Sequence, residues 1–137
     1  MYQAYGTGRD SACALLIEAD EAYRAVIAAC ILHAGCQTES VTDMDAALTM
    51  LADHDFDLLV WGVSAGEAFG RLEVLRELQV RSSARLILLG HSSDSAPLDL
   101  EAGASLWLQK PFVPGALVGA VRSTLRKAAH LSSRFAQ

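Results

Sequence analysis

Four short polar clusters each close an apolar run: Glu18-Ala19-Asp20, Gly62-Val63-Ser64, Gly90-His91-Ser92 and Gln109-Lys110. They supply two carboxylates, three hydroxyl- or imidazole-bearing residues and one ammonium. Lys110 has two plausible uses in such a place. It can pair with Glu18 or Asp20, or it can hold an anion, and the ion pair is the plainer reading. His91 could bind an anion or sense pH, against the plainer reading of a loop histidine. Ser92, His91 and Asp94 carry the residue types of a hydrolytic triad, but adjacency in sequence is poor support for one. The histidines His33, His54, His91 and His130 have no metal-ligand spacing with one another or with a cysteine. No phosphate loop, dinucleotide fingerprint or nucleophile elbow occurs. Gly66, Gly70, Gly103 and Gly115 read as turn residues.

The elements that must position these clusters follow from periodicity. Ala14-Leu15-Leu16-Ile17 is a buried strand before an acidic cluster. From Asp20, an N-cap, the period changes. Tyr23, Val26, Ile27, Cys30 and Ile31 share one helix face, and Gly35 stops that helix. Residues 37–41 form a weaker strand. Thr42 is the expected N-cap of the next helix, whose apolar face is Ala46, Ala47, Met50 and Leu51. Residues 57–61 make the third strand. Leu72, Leu75 and Leu78 mark a helix, and residues 85–89 a fourth strand. A short helix at 98–102 precedes Gly103, and Leu106-Trp107-Leu108 is a short fifth strand that Lys110-Pro111 ends. Pro114 suits the first turn of a last helix carrying Leu117, Val118, Val121 and Leu125, expected to run to about residue 129.

This β-then-α order predicts a parallel sheet with helices on both faces. Ligand chemistry in such sheets gathers at the carboxyl ends of the strands, where the four clusters fall. The expected boundaries are a flexible arm over residues 1–11, one domain over 12–129, and a fraying tail or linker over 130–137.

Bulk composition agrees. The chain has 137 residues, 52% of them hydrophobic, and a mean hydropathy of +0.26. No apolar run reaches the ~20 residues of a membrane span, so the apolar residues belong in a core and no membrane partner is expected. The net charge of −5 argues against direct nucleic-acid binding, which needs clustered cations. Arg122, Arg126, Lys127 and Arg134 read as a solvated helix face. Cys13, Cys30 and Cys36 form no CxxC, and no secretory segment precedes them, so a reducing cytoplasm fits.

Taken in order and at their spacings, I-E-A-D-E-A-Y-R (17–24), F-D-L-L-V-W-G (56–62), L-E-V-L-R (72–76), E-A-G-A (101–104) and K-P-F (110–112) resemble the receiver domain of bacterial two-component response regulators. The resemblance covers roughly residues 14–128. It implies an α/β, flavodoxin-like (CheY-like) doubly wound fold, with a five-stranded parallel sheet and five helices in a three-layer sandwich.

Receivers hold Mg²⁺ with an acidic pair after the first strand and phosphorylate an aspartate after the third. A hydroxyl after the fourth strand and a lysine after the fifth contact the phosphoryl group, because its concentrated charge must be offset. By this resemblance Glu18 falls on the first acid and Ala19 on the second. Asp20 stays a helix cap. Gly62 falls on the nucleophile, Gly90 on the hydroxyl and Lys110 on the lysine, with a Lys110-Pro111 bond expected to be cis. Ser64, Glu67 and Asp57 are poor substitutes for the nucleophile. Trp107 falls on the switching aromatic, either packed over the site or exposed to a partner.

The resemblance thus implies an atypical receiver, not an enzyme, with no catalytic residue, no metal site and Mg²⁺ binding weak or absent. It would act through a protein partner or as a homodimer through its fourth helix, fifth strand and fifth helix, with Trp107 and Pro111 on the switch surface. A fused or separate DNA-binding, transcriptional output module is implied. The alternative is a small-molecule sensor whose ligand sits among Ala19, Gly62, Gly90 and Trp107.

Overall fold

The computed structural model describes residues 11–64, 70–92 and 95–136, with side chains as far as residue 127. Residues 1–10 of the expected 1–11 arm, Gly66, Glu67, Asp94 and the side chains of the tail lie outside the described residues. The order is β1 (Ala12–Glu18), α1 (Glu21–His33), β2 (Cys36–Val41), α2 (Met44–Asp53), β3 (Leu58–Gly62), α3 (Arg71–Arg81), β4 (Arg85–Gly90), α4 (Ala96–Glu101), β5 (Leu106–Gln109) and α5 (Pro114–Ala136). All strand pairs are parallel, in the order β2-β1-β3-β4-β5.

Side-chain alternation sends each central strand into two cores. Ala14, Leu16, Leu58, Val60, Ile87 and Leu89 face α1 and α5, where they meet Ile27, Ile31, Leu117 and Val121. Leu15, Ile17, Leu59, Trp61, Leu86 and Leu88 face α2 and α3, where they meet Ala47, Leu51, Leu75 and Leu78. Burial on both faces is why these strands read as continuous apolar runs. Each fully buried leucine or isoleucine contributes about 1.5–3 kcal/mol.

Several boundaries differ from expectation. Asp43, not Thr42, caps α2: its carboxylate accepts from the Ala46 amide at 2.8 Å, and an ionised acceptor makes the stronger cap. Asp57 precedes β3, which runs one residue further, to Gly62. Its carboxylate accepts from the Cys13 amide at 2.9 Å while its own amide donates to the Cys13 carbonyl. Val26 is 44% exposed and does not join the core face of α1. α4 begins earlier than expected, with Pro97 in its first turn. α5 continues to Ala136 instead of ending near 129, since no glycine or proline interrupts the segment beyond Gly119. Gly35 has the expected role, at φ 92° just after α1.

Candidate functional site

Strand register assembles the centre. Glu18, the last residue of β1, lies opposite Gly62, the last of β3. Gly90 of β4 lies opposite Gln109 of β5, and the Lys110 amide donates to the Gly90 carbonyl at 2.6 Å. Glu18, Gly62, Gly90 and Lys110 therefore converge at one end of the sheet. The Lys110-Pro111 peptide is cis, and Pro111 is exposed.

The Lys110 ammonium sits 2.8 Å from Glu18 Oε1, and both side chains are sealed, at 2% and 1% exposure. No donor is aligned on that oxygen for a hydrogen bond, so the contact is held by charge. Glu18 Oε2 accepts from the Asp20 amide at 3.0 Å. The ammonium also lies 4.5 Å from the centre of the Tyr23 ring, close enough for a cation–π contact. Tyr23 in turn meets Phe112 at 6.0 Å between ring centres. Arg24 closes the turn from below, donating from Nη1 to the carbonyls of Glu18 at 3.0 Å and Ala19 at 3.2 Å.

The Glu18 carboxylate occupies space that any side chain at position 62 would need. A Cβ on Gly62 would collide with Glu18 Oε1, while lying 3.0 Å from Glu18 Cδ and 3.2 Å from Lys110 Nζ. Gly90 is covered in a parallel way. A Cβ there would meet the Trp107 indole at 2.9–3.2 Å. Trp107 is turned inward, and its Nε1 donates to Asp99 Oδ2 at 3.1 Å. Asp99 Oδ1 pairs with Arg71 Nε at 2.6 Å.

Ala19 and Asp20 stay at the surface. Asp20 serves α1, its carboxylate facing the Tyr23 amide at 3.5 Å. His91 is exposed on the loop after β4. A divalent cation of the receiver kind needs several oxygen ligands at close range. Here Glu18 is committed to Lys110, Ala19 and Gly62 offer no side-chain oxygen, and Asp20 caps a helix, so the donor set does not fit such an ion.

Sequence reasoning missed four participants. Tyr23 is placed only on an apolar helix face and Phe112 only within the K-P-F match, with no role at the site for either. Arg71 and Asp99 were not singled out, since they are 28 residues apart and belong to no local pattern. A separate groove of about 670 Å³ runs between α1 and α5, lined by residues including Val26, Ala29, Cys30, Gly115 and Val118. Arg122, at its rim, donates to the His33 carbonyl at 3.4 Å. None of the strand-end residues lines that groove.

The fold is matched by comparison with known proteins. The family model described as "Response regulator receiver domain" matches residues 14–122. The chain belongs to that family. Curated relatives include the "DNA-binding response regulator MtrA" of Mycobacterium tuberculosis, 30% identical over 116 residues, covering 82% of this chain and 50% of that protein. Another is the "Transcriptional regulatory protein FixJ" of Azorhizobium caulinodans, 32% identical over 119 residues, covering 83% and 55%. The receiver thus spans about half the length of the curated relatives it matches. Among solved structures, the receiver domain of the Francisella response regulator 1452 superposes with a TM-score of 0.75 at 20% identity, covering 85% of this chain and 98% of that one. Chemotaxis response regulator CheY4 of Vibrio cholerae gives 0.71 at 20% identity, covering 83% and 98%. These confirm the flavodoxin-like fold with five parallel strands and five helices. Among the described residues no helix is long and apolar enough to cross a membrane.

Proposed function

We propose that this receiver signals without aspartyl phosphorylation. The observation that carries the reading is the Glu18 carboxylate. It fills the space beside Gly62, where the family's acceptor side chain would begin, and it is paired with the lysine that would otherwise meet a phosphoryl group. Gly62 offers no nucleophile, and Ala19 no metal ligand. Mg²⁺ binding is accordingly weak or absent, and the domain has no catalytic role of its own.

On this reading the output is protein contact, with a partner or with a second copy through α4, β5 and α5. The relatives named above are DNA-binding and transcriptional regulators about twice as long as the matched segment. A DNA-binding output module, attached or separate, is therefore the expected recipient of the signal, in the cytoplasm. The small-molecule alternative is less well supported, because the Glu18 carboxylate and the Trp107 indole take up the space beside Gly62 and Gly90.

The test is an NMR titration with Mg²⁺ and beryllofluoride, a mimic of phosphorylated aspartate, alongside intact-mass measurement after acetyl phosphate treatment. The amides of Glu18, Gly62 and Lys110 should not move, and no phosphoryl adduct should form. Saturating shifts at these three positions, or a stable acyl-phosphate adduct, would overturn the reading.

A further inference from the structure

α4 is built inside out. Its sequence is A-P-L-D-L-E over residues 96–101. Asp99 is completely buried, whereas Leu98 and Leu100 are 52% and 44% exposed. Hydrophobic burial alone would rotate this short helix the other way, with a leucine inward and the carboxylate in water. Something must hold the acid inside. The structure supplies two donors, one for each carboxylate oxygen: Arg71 Nε at 2.6 Å on Oδ1 and Trp107 Nε1 at 3.1 Å on Oδ2.

The three residues come from three elements. Arg71 is the first residue of α3, Asp99 lies on α4, and Trp107 is on β5. The indole held by Asp99 is the same ring that lies against Gly90. The backbone reinforces the seat, since the Asp99 carbonyl accepts from the Ala104 amide at 3.0 Å. A buried carboxylate with a donor on each oxygen is a high-stakes arrangement. Loss of either donor leaves a charge in an apolar setting.

We propose that Arg71, Asp99 and Trp107 form a latch that holds α4 with its acid inward and its leucines outward, and holds Trp107 over Gly90. The latch ties the start of α3 to the face made by α4 and β5. It does not depend on whether position 62 takes a phosphoryl group, so it can fail or stand separately from the functional reading above.

The indole N–H of Trp107 reports the latch directly. Its NMR signal is identified by its disappearance in Trp107→Phe. In the wild-type protein it should exchange slowly with solvent, because its hydrogen bond ends on a buried carboxylate. Asp99→Leu removes the acceptor while offering α4 an apolar residue to bury, and exchange should accelerate about 10- to 100-fold. The Leu98 and Leu100 methyl signals should shift with it as the helix re-seats.

Arg71→Met is the second variant, and it changes no residue of α4 or β5. It should also speed exchange of the Trp107 indole, although the acceptor itself is intact. A residue that only packs locally would not transmit that effect. Fast exchange in the wild-type protein, or no change at Trp107 in folded Arg71→Met, would overturn the proposal. If Asp99→Leu does not fold, Arg71→Met decides alone.

Discussion

Gly62→Ala is the smallest change that tests the packing at the centre of the site. The added methyl lands on Glu18 Oε1 and within 3.2 Å of Lys110 Nζ. Neither partner can turn to water without breaking a pair in which both side chains are almost fully enclosed. Breaking a buried pair outright by removing one partner costs about 3–5 kcal/mol. A displaced but surviving pair should cost less, about 2–4 kcal/mol. Urea denaturation followed through tryptophan emission would measure it, Trp61 being 1% exposed in the core.

The decisive comparison is a double-mutant cycle with Glu18→Ala. That variant alone should lose about 3–5 kcal/mol, because Lys110 is left buried without its counter-charge. In its background, however, Gly62→Ala should cost less than about 1 kcal/mol, since the colliding carboxylate is gone. Gly62→Asp in the same background should recover part of the loss by giving Lys110 a new carboxylate. If Gly62→Ala is as stable as the wild type, or costs the same with and without Glu18, the steric argument is wrong.

Gly62→Asp in the otherwise natural sequence should remain unphosphorylated by acetyl phosphate in Mg²⁺, as judged by intact mass, because Ala19 leaves the metal short of a ligand; efficient labelling would refute the assignment of Ala19. Ala19→Asp combined with Gly62→Asp is the variant expected to gain some labelling, at reduced stability from carboxylate repulsion. Burial, with smaller contributions from Cys13 and Asp57, pushes the Cys36 thiol up to about 12 from 9.0. The unfolded chain therefore loses this proton first. The contribution is intact below pH 9, and stability should fall by up to about 1.4 kcal/mol per pH unit between 9 and 12. Cys36→Ala should flatten that part of the urea-stability profile, and an unchanged slope would count against it. Asp43→Ala removes the α2 cap at the Ala46 amide and should cost about 1 kcal/mol by the same assay; no loss would show that Thr42 substitutes.

Much of this architecture is legible in the sequence because the central strands are buried on both faces. L-L-V-W-G and R-L-I-L-L cannot be solvent-facing segments, and glycine and proline punctuate the connections. The β-then-α order already puts Glu18, Gly62 and Lys110 at strand carboxyl ends, and the resemblance adds the strand order that makes them neighbours. What a linear pattern cannot show is occupancy. Gly62 and Gly90 read as absences, but each is the place another side chain enters, Glu18 in one case and Trp107 in the other. Asp99 was missed for a related reason. An acid between two leucines on a short helix looks solvated, and only the folded topology brings Arg71 and Trp107 to it.

The strand order also governs how this domain can meet other chains. The two sheet edges are β2, which carries Glu39 and Ser40 at its exposed positions, and β5, four residues long and followed at once by Lys110 and a proline that has no amide to donate. A charged edge and a truncated one are poor templates for adding a foreign strand. Among the described residues, despite the apolar composition, the two sheet edges offer little backbone for intermolecular pairing, so any contact with another chain would fall to side chains.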